Sequence, residues 1–251
     1  MPIKSMKPVQ VRLSLVFIAF FLFMAFPLVV SAQASPPAGE YITENGWGNL
    51  IVKSPKSGAA TFSIMALGAN GHTCTLDGEI KNGQARLAES DKDKPCMVTF
   101  RQKVYDIEVS ASPFEECRSY CGARAGFEGL YLKPARGCDS SAIKKTRAAF
   151  KRLYDNKAYE QAKAELTSII PGCEKTLDWT EAGRIRNDLA ITEYKLGNMA
   201  ACQQILAPLA ADAAKTDEDL RDNYPPTDAE NYLPVIKATR TNLRLCGAMK
   251  K

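Results

Sequence analysis

Two periodicities divide this chain. From about Glu40 to residue 137 apolar and polar residues alternate, the period of a half-buried strand; beyond Cys138 the apolar positions recur every three to four residues, the period of an amphipathic helix. Leu50-Ile51-Val52 follows the turn signals Gly46-Trp47-Gly48, and Thr61 to Ala66 sets Phe62, Ile64 and Ala66 on one face. His72 to Ile80 carries Cys74 and Leu76 inward. Asn82-Gly83 is a two-residue hairpin signal because both residues tolerate positive φ, and Ala85 and Leu87 continue the return strand. Val98 and Phe100 share a face of the next strand, Gln102-Lys103 reads as its turn, and Val104 to Val109 returns with Tyr105, Ile107 and Val109 together. Ser110 to Glu116 reads as a loop and Phe127 to Leu132 as the last strand. Roughly six to eight short strands with tight turns predict a small antiparallel barrel or sandwich.

In the second half, Asp139 or Ser140 can cap a helix carrying Ile143, Arg147, Phe150 and Tyr154 at helical spacing. Asp155-Asn156-Lys157 turns the chain. A second helix runs from about residue 158 to 170, with Ala162, Leu166 and Ile169 inward and Pro171-Gly172 as its stop. The pattern returns about 40 residues later, Tyr154 matching Tyr194, Ala162 matching Cys202, Leu166 matching Leu206 and Ile169 matching Leu209. Asp217 to Thr227, acidic and ending near Pro225-Pro226, reads as a loop. Thr227-Asp228-Ala229-Glu230 then has the spacing of a capping box opening a final helix, with Ile236, Leu243 and Cys246 inward and Pro234 in or near its first turns. The fold class expected is α+β: a small antiparallel β domain over residues 35–137, then an α-helical domain over 138–251, stapled by disulfides.

The N-terminus changes the setting. Lys4, Lys7 and Arg12 precede an apolar run, Leu13 to Val30, and Ala32 and Ala34 then have the small-residue spacing of a cleavage site. Residues 1–34 therefore read as a signal peptide cut after Ala34, which predicts a periplasmic protein with no membrane segment after cleavage. Charge adds little. Of 33 Lys and Arg, three lie in the signal segment, leaving 30 against 28 Asp and Glu. Such balance gives no footprint for nucleic acid.

Eight cysteines in an exported chain argue for disulfides; with one His and no Cys-x-x-Cys, metal ligation is the weaker reading. Cys74, Cys96, Cys117 and Cys121 allow three pairings. The hairpin that starts at Cys96 leads back towards Cys117, which favours Cys96–Cys117 and Cys74–Cys121. In the helical half, two antiparallel helices of similar length bring the start of one beside the end of the other. That geometry pairs Cys138 with Cys173 and Cys202 with Cys246.

Candidate chemistry is sparse. His72 lies two residues from Cys74, but a strand histidine beside an oxidised cysteine is structural. Asp77 with Glu79, and Glu115 with Glu116, are candidate carboxylate pairs by residue type only. There is no Gly-x-Ser-x-Gly elbow and no phosphate-binding glycine loop. The densest motif lies between Cys117 and Cys138, where Ser119, Tyr120 and Arg124 stand beside Cys121 and Gly122. Tyr and Arg are enriched in binding hot spots; the alternative is that these residues close the barrel. No catalytic residue, metal or cofactor is expected.

The segments FKRLYDNKAYEQAKAEL and NDLAITEYKLGNMAACQQIL resemble tetratricopeptide repeats, a likeness covering about Ser140 to Ala213, with a spacing above the usual ~34 residues. The segments GANGHTCTLDGEI and CRSYCGARAGFEGLY are similar to small periplasmic β domains such as bacterial lysozyme inhibitors. That resemblance implies a protein that blocks a sugar-cleaving cleft with a loop, here Ser119-Tyr120, and the repeats imply a second bound protein. The expected function is an exported, non-catalytic protein that binds another periplasmic or extracellular protein, with a cell-wall hydrolase as a target to be inhibited. The competing classes are an envelope hydrolase using the Asp and Glu residues and a repeat-based assembly scaffold.

Overall fold

The structure, a computed structural model, describes residues 35–56, 58–87 and 93–247. The expected signal peptide and its cleavage site lie outside them, as do Asp91 and Lys92 of the loop before Cys96.

Among the described residues, eight strands form one antiparallel sheet: β1 (Gly39–Thr43), β2 (Gly48–Lys53), β3 (Ala60–Leu67), β4 (Thr73–Ile80), β5 (Gln84–Leu87), β6 (Cys96–Lys103), β7 (Asp106–Ser112) and β8 (Gly129–Leu132). Their order, β4-β3-β2-β1-β8-β7-β6-β5, is that of an up-and-down meander rolled so that first and last strands pair, Ile42 facing Leu132. The result is a nearly closed barrel. The remaining seam lies between β4 and β5, which are joined by the Asn82-Gly83 turn. Both turn residues have positive φ, +54° and +74°, as a two-residue hairpin requires. Leu87 and Phe62 fill the seam beside Gly78, where a β-carbon would come within 3.1 Å of a Leu87 methyl.

Alternation places Leu50, Ile64, Leu76, Val98, Phe100 and Ile107 inside the barrel. Phe62 and Phe100 meet edge-on at 4.8 Å. Tyr131 is fully buried; its hydroxyl donates to the Phe127 carbonyl at 2.8 Å, and burial pushes its ionisation far above the usual tyrosine range. Strand registers sort the connections by barrel end. The turns after β4 and β6 and the exit from β8 share one end; the turns after β1 and β3 and the segment between β7 and β8 share the other.

The expected loop between β7 and β8 contains a short helix, α1 (Phe114–Arg118), placed by the buried Cys117, which bonds to Cys96. After β8 come α2 (Ser140–Asp155), α3 (Tyr159–Thr167), α4 (Ile169–Cys173), α5 (Trp179–Lys195), α6 (Met199–Leu206), α7 (Ala210–Ala213), α8 (Asp217–Asn223) and α9 (Pro226–Leu245). Asp139 caps α2, accepting from Ala142 N at 2.9 Å, and Asp178 caps α5 through Thr180 N and Glu181 N. α2 with α3, and α5 with α6, are antiparallel hairpins turned by Lys157 (φ +60°) and Gly197 (φ +82°). Ala162 and Cys202, and Leu166 and Leu206, are all fully buried.

Three expectations for the helical half need correction. Pro171-Gly172 does not end a helix: the break falls at Ser168, and Pro171 sits in the first turn of α4, where its missing N–H would have had no partner. Asp217 to Asn223 is helical, not a loop. Its capping box is formed by Thr216 and Asp219, Thr216 Oγ1 accepting from Asp219 N at 3.0 Å and Asp219 Oδ2 from Thr216 N at 2.9 Å. The final helix starts at Pro226, so Pro234 falls in its interior, held by Leu233, Val235 and Ile236 packed on either side. α9 is fastened to α5 by buried amides: Asn187 Nδ2 donates to Thr239 Oγ1 at 2.9 Å, and Asn242 Nδ2 donates to Asn187 Oδ1 at 3.0 Å.

Four disulfides are present: Cys74–Cys121, Cys96–Cys117, Cys138–Cys173 and Cys202–Cys246. Barrel and helices meet along the outer side of β1 and at one barrel end. Ile42 shares a crevice there with Ile143 and Leu177. Asn45 N donates to Lys175 O at 2.8 Å. Asn70, in the turn after β3, accepts from Thr227 N through Oδ1 at 3.0 Å, while its own N–H donates to Asp228 Oδ2 at 3.0 Å. The barrel thereby caps α9 reciprocally, and Thr227 and Glu230 do not form the local capping box their spacing suggests: Thr227 lies within α9, and Glu230 accepts from Arg221 Nε at 2.8 Å.

Candidate functional site

The segment after α1 is built as a closure. Its backbone runs along the free edge of β4, Thr75 N donating to Tyr120 O at 3.2 Å and Gly122 N to Thr73 O at 2.8 Å, with Cys121 bonded to Cys74 between them. An unpaired strand edge is thus covered at the mouth of the seam. Arg118, which the sequence did not single out, holds the bend: its guanidinium donates to the carbonyls of Ala123, Gly122 and Ala125, the last at 3.0 Å. Ser119 is exposed and donates to Glu116 O at 2.8 Å. Tyr120 is half-buried against the barrel core, and Arg124 is exposed. Its carbonyl presses so closely on Gly68 that a β-carbon there would lie 2.0 Å from the oxygen. Ser119 and Arg124 therefore present side chains outward, while Tyr120 presents a partial face.

The other candidates are dispersed. The His72 ring packs on Gly122, whose β-carbon would sit 2.7 Å from Nδ1, and Cys74 is oxidised, so no thiol–imidazole pair forms. Asp77 and Glu79 lie on the outer face of β4, Glu79 paired with Lys81 at 3.0 Å. Glu115 and Glu116 occupy the first turn of α1. Among the described residues no group of three or more His, Cys, Asp or Glu could hold a metal ion, and no helix is long and apolar enough to cross a membrane. Between α2 and α5, Arg147 bonds Glu181 at 2.8 Å and Asp188 at 3.0 Å; burial raises the Asp188 carboxyl, and the guanidinium opposes that rise.

A more exposed feature stands at the opposite barrel end. The β6–β7 turn is Val104-Tyr105, closed by Lys103 facing Asp106, and not the expected Gln102-Lys103. Tyr105 therefore leaves the inward face assigned to it: Val104 and Tyr105 are 79% and 78% exposed. Val104 has φ +55°, a region a β-branched residue adopts only under strain. A tight hairpin would be built more easily from Gly or Asn here. Backbone strain and two exposed apolar side chains coincide at one projecting tip. Absence of any turn residue concealed it from sequence reading.

Comparison with protein-family models, with curated proteins and with solved structures finds no match for this chain.

Proposed function

We propose that the mature chain is an exported, non-catalytic binding protein of the periplasm, and that it inhibits a lysozyme-type cell-wall hydrolase by inserting the Val104-Tyr105 tip into the enzyme's cleft. The observation that carries this reading is the tip itself. Apolar side chains so fully exposed on a rigid two-residue turn contribute nothing to their own core, and strain of ~1–3 kcal/mol at such a residue accompanies function more often than packing. A convex tip on a rigid barrel is complementary to a concave cleft, and a tyrosine provides the large, low-entropy anchor common at interface centres. Four disulfides and the signal-like leader support export. The helical hairpins, read as tetratricopeptide-like repeats, supply a scaffold that holds the barrel and a second protein-binding surface. Ser119, Tyr120 and Arg124, at the other barrel end, form a separate contact surface in this reading.

The test is a muramidase assay on cell-wall suspensions with the purified mature protein. Wild type is expected to inhibit, and Tyr105→Ala to weaken inhibition by about ten-fold or more, about 1.4 kcal/mol. Absence of inhibition and of binding by wild type overturns the target. Inhibition unaffected by Tyr105→Ala but lost in Tyr120→Ala or Arg124→Ala moves the contact to the other end of the barrel.

A further inference from the structure

Both tryptophans of the chain line one cleft, although they come from opposite halves. The cleft lies where the barrel end carrying the β1–β2 and β3–β4 turns meets the starts of α5 and α9. Its volume is about 500 Å³, within the usual span of ligand pockets of about 300–1,000 Å³.

Each indole is fixed from behind. Trp179, the first residue of α5, stacks on Tyr224 at 5.5 Å with the planes 13° apart, and tilts against Tyr232 at 4.4 Å. The two tyrosine hydroxyls both donate to Asp212 Oδ2 at 3.0 Å, and Lys215 Nζ donates to Oδ1 at 2.7 Å. Despite these neighbours Trp179 remains 40% exposed. Trp47 lies against Tyr131 at 6.2 Å and over Gly129, where a β-carbon would come within 3.6 Å of the ring. Its carbonyl accepts from Leu67 N at 2.7 Å. The rings are therefore preorganised, so a ligand would not have to order them.

The polar lining selects the ligand class. The two carboxylates present serve the backbone: Asp178 caps α5, and Asp228 accepts from Asn70 N. The groups that face a ligand are the side-chain amides of Asn45 and Asn231 and the Arg184 guanidinium, whose Nη1 already donates to Glu181 Oε2 and Thr180 Oγ1, each at 3.4 Å. An amide offers donor and acceptor side by side, the pattern that matches vicinal hydroxyls. An aromatic face packs against the C–H face of a pyranose, apolar on one side and hydroxylated at its rim. A planar apolar ligand would leave the amides unpaired, and a strongly anionic one would find a single cation, Arg184, already paired with Glu181.

We propose that this cleft binds a neutral carbohydrate, with a sugar ring stacked on Trp179 and its hydroxyls bonded by Asn231, Asn45 and Arg184. The site lies at the barrel end away from the Val104-Tyr105 tip, so it operates independently of the inhibitory reading.

The experiment is a titration of the full mature chain with chitotriose, cellotriose and muramidase-released peptidoglycan fragments, followed by tryptophan fluorescence and calorimetry. Saturable binding with a fluorescence shift is expected for at least one of these saccharides. Trp179→Ala is expected to weaken it about ten-fold, the worth of one aromatic anchor. Because Trp179 also braces α5, Asn231→Ala, an exposed substitution, gives the second reading: binding should weaken about five-fold, a side-chain hydrogen bond's worth, at unchanged Tm. Tyr105→Ala should leave saccharide binding intact, which separates this site from the proposed inhibition. No saturable binding of any of the three, or binding that both Trp179→Ala and Asn231→Ala leave unchanged, overturns the proposal.

Discussion

Asp212 bears on three side chains at once. Burial alone would raise its carboxyl, but hydrogen bonds from Lys215, Tyr232 and Tyr224, together with the Lys215 charge, hold it below the usual carboxylate value. A carboxyl depressed in the folded state and ordinary in the unfolded one stabilises the fold above its unfolded value, near ~3.9, and that stability is lost as pH falls through the depressed folded value. Asp212→Asn should therefore destabilise the protein by about 1–2 kcal/mol at pH 7. The difference from wild type should shrink steadily in thermal melts below pH 4 and vanish once wild-type Asp212 is itself protonated. A constant difference across the acid range would mean that the residue acts through packing alone. Sequence reading gave Asp212 no weight, because its partners Tyr224 and Tyr232 lie in elements that only the fold brings to it.

Among the elements, the β6–β7 hairpin separates what was readable from what was not. Asn82-Gly83 was legible as a turn because its residue types tolerate the positive φ the geometry imposes. Val104-Tyr105 was not, since alternation continued through it and nothing marked a reversal. The Val104 backbone yields a prediction with opposed signs. Val104→Gly removes the steric cost of φ +55° and should raise stability by roughly 1 kcal/mol, while weakening any partner affinity that the tip supplies. Chemical denaturation and a binding titration on the same variant test both signs; a loss of stability would show that the turn carries no strain. Local signals failed in a similar way at α8. Its run of acidic residues before Pro225-Pro226 resembles a solvated loop, yet Thr216 and Asp219 make the capping box with Asp in place of the usual Glu or Gln. Helices α2, α3 and α6, and α5 from about Asn187, were readable because an apolar stripe at helical spacing has few alternatives once turns bound it.

At the scale of the whole molecule, the long-range arrangement came from two kinds of argument. Antiparallel helix geometry led to Cys138–Cys173 and Cys202–Cys246, so connectivity of the helical half was accessible without coordinates, whereas hairpin direction only favoured Cys96–Cys117 among three possible pairings in the barrel. The Trp47–Trp179 cleft and the Asn70 cap on α9 were not accessible, since each joins a barrel turn to a helix start and neither leaves a periodic trace. The order of the disulfides along the chain has its own consequence. Cysteines of the helical half pair with their immediate successors, whereas Cys96–Cys117 is nested inside Cys74–Cys121. A chain that enters an oxidising compartment from its N-terminus exposes Cys74 and Cys96 first, and an oxidase joining thiols as they emerge makes Cys74–Cys96, which is wrong. On that order of emergence the helical half is expected to mature with an oxidase alone and the barrel to need an isomerase that reopens the early bond through thiolate attack. Secretion into cells lacking that isomerase should yield protein with Cys138–Cys173 and Cys202–Cys246 formed and the barrel pairs scrambled, as read by non-reducing peptide mapping. Native barrel pairs in those cells would mean that the strands fold before their cysteines are oxidised.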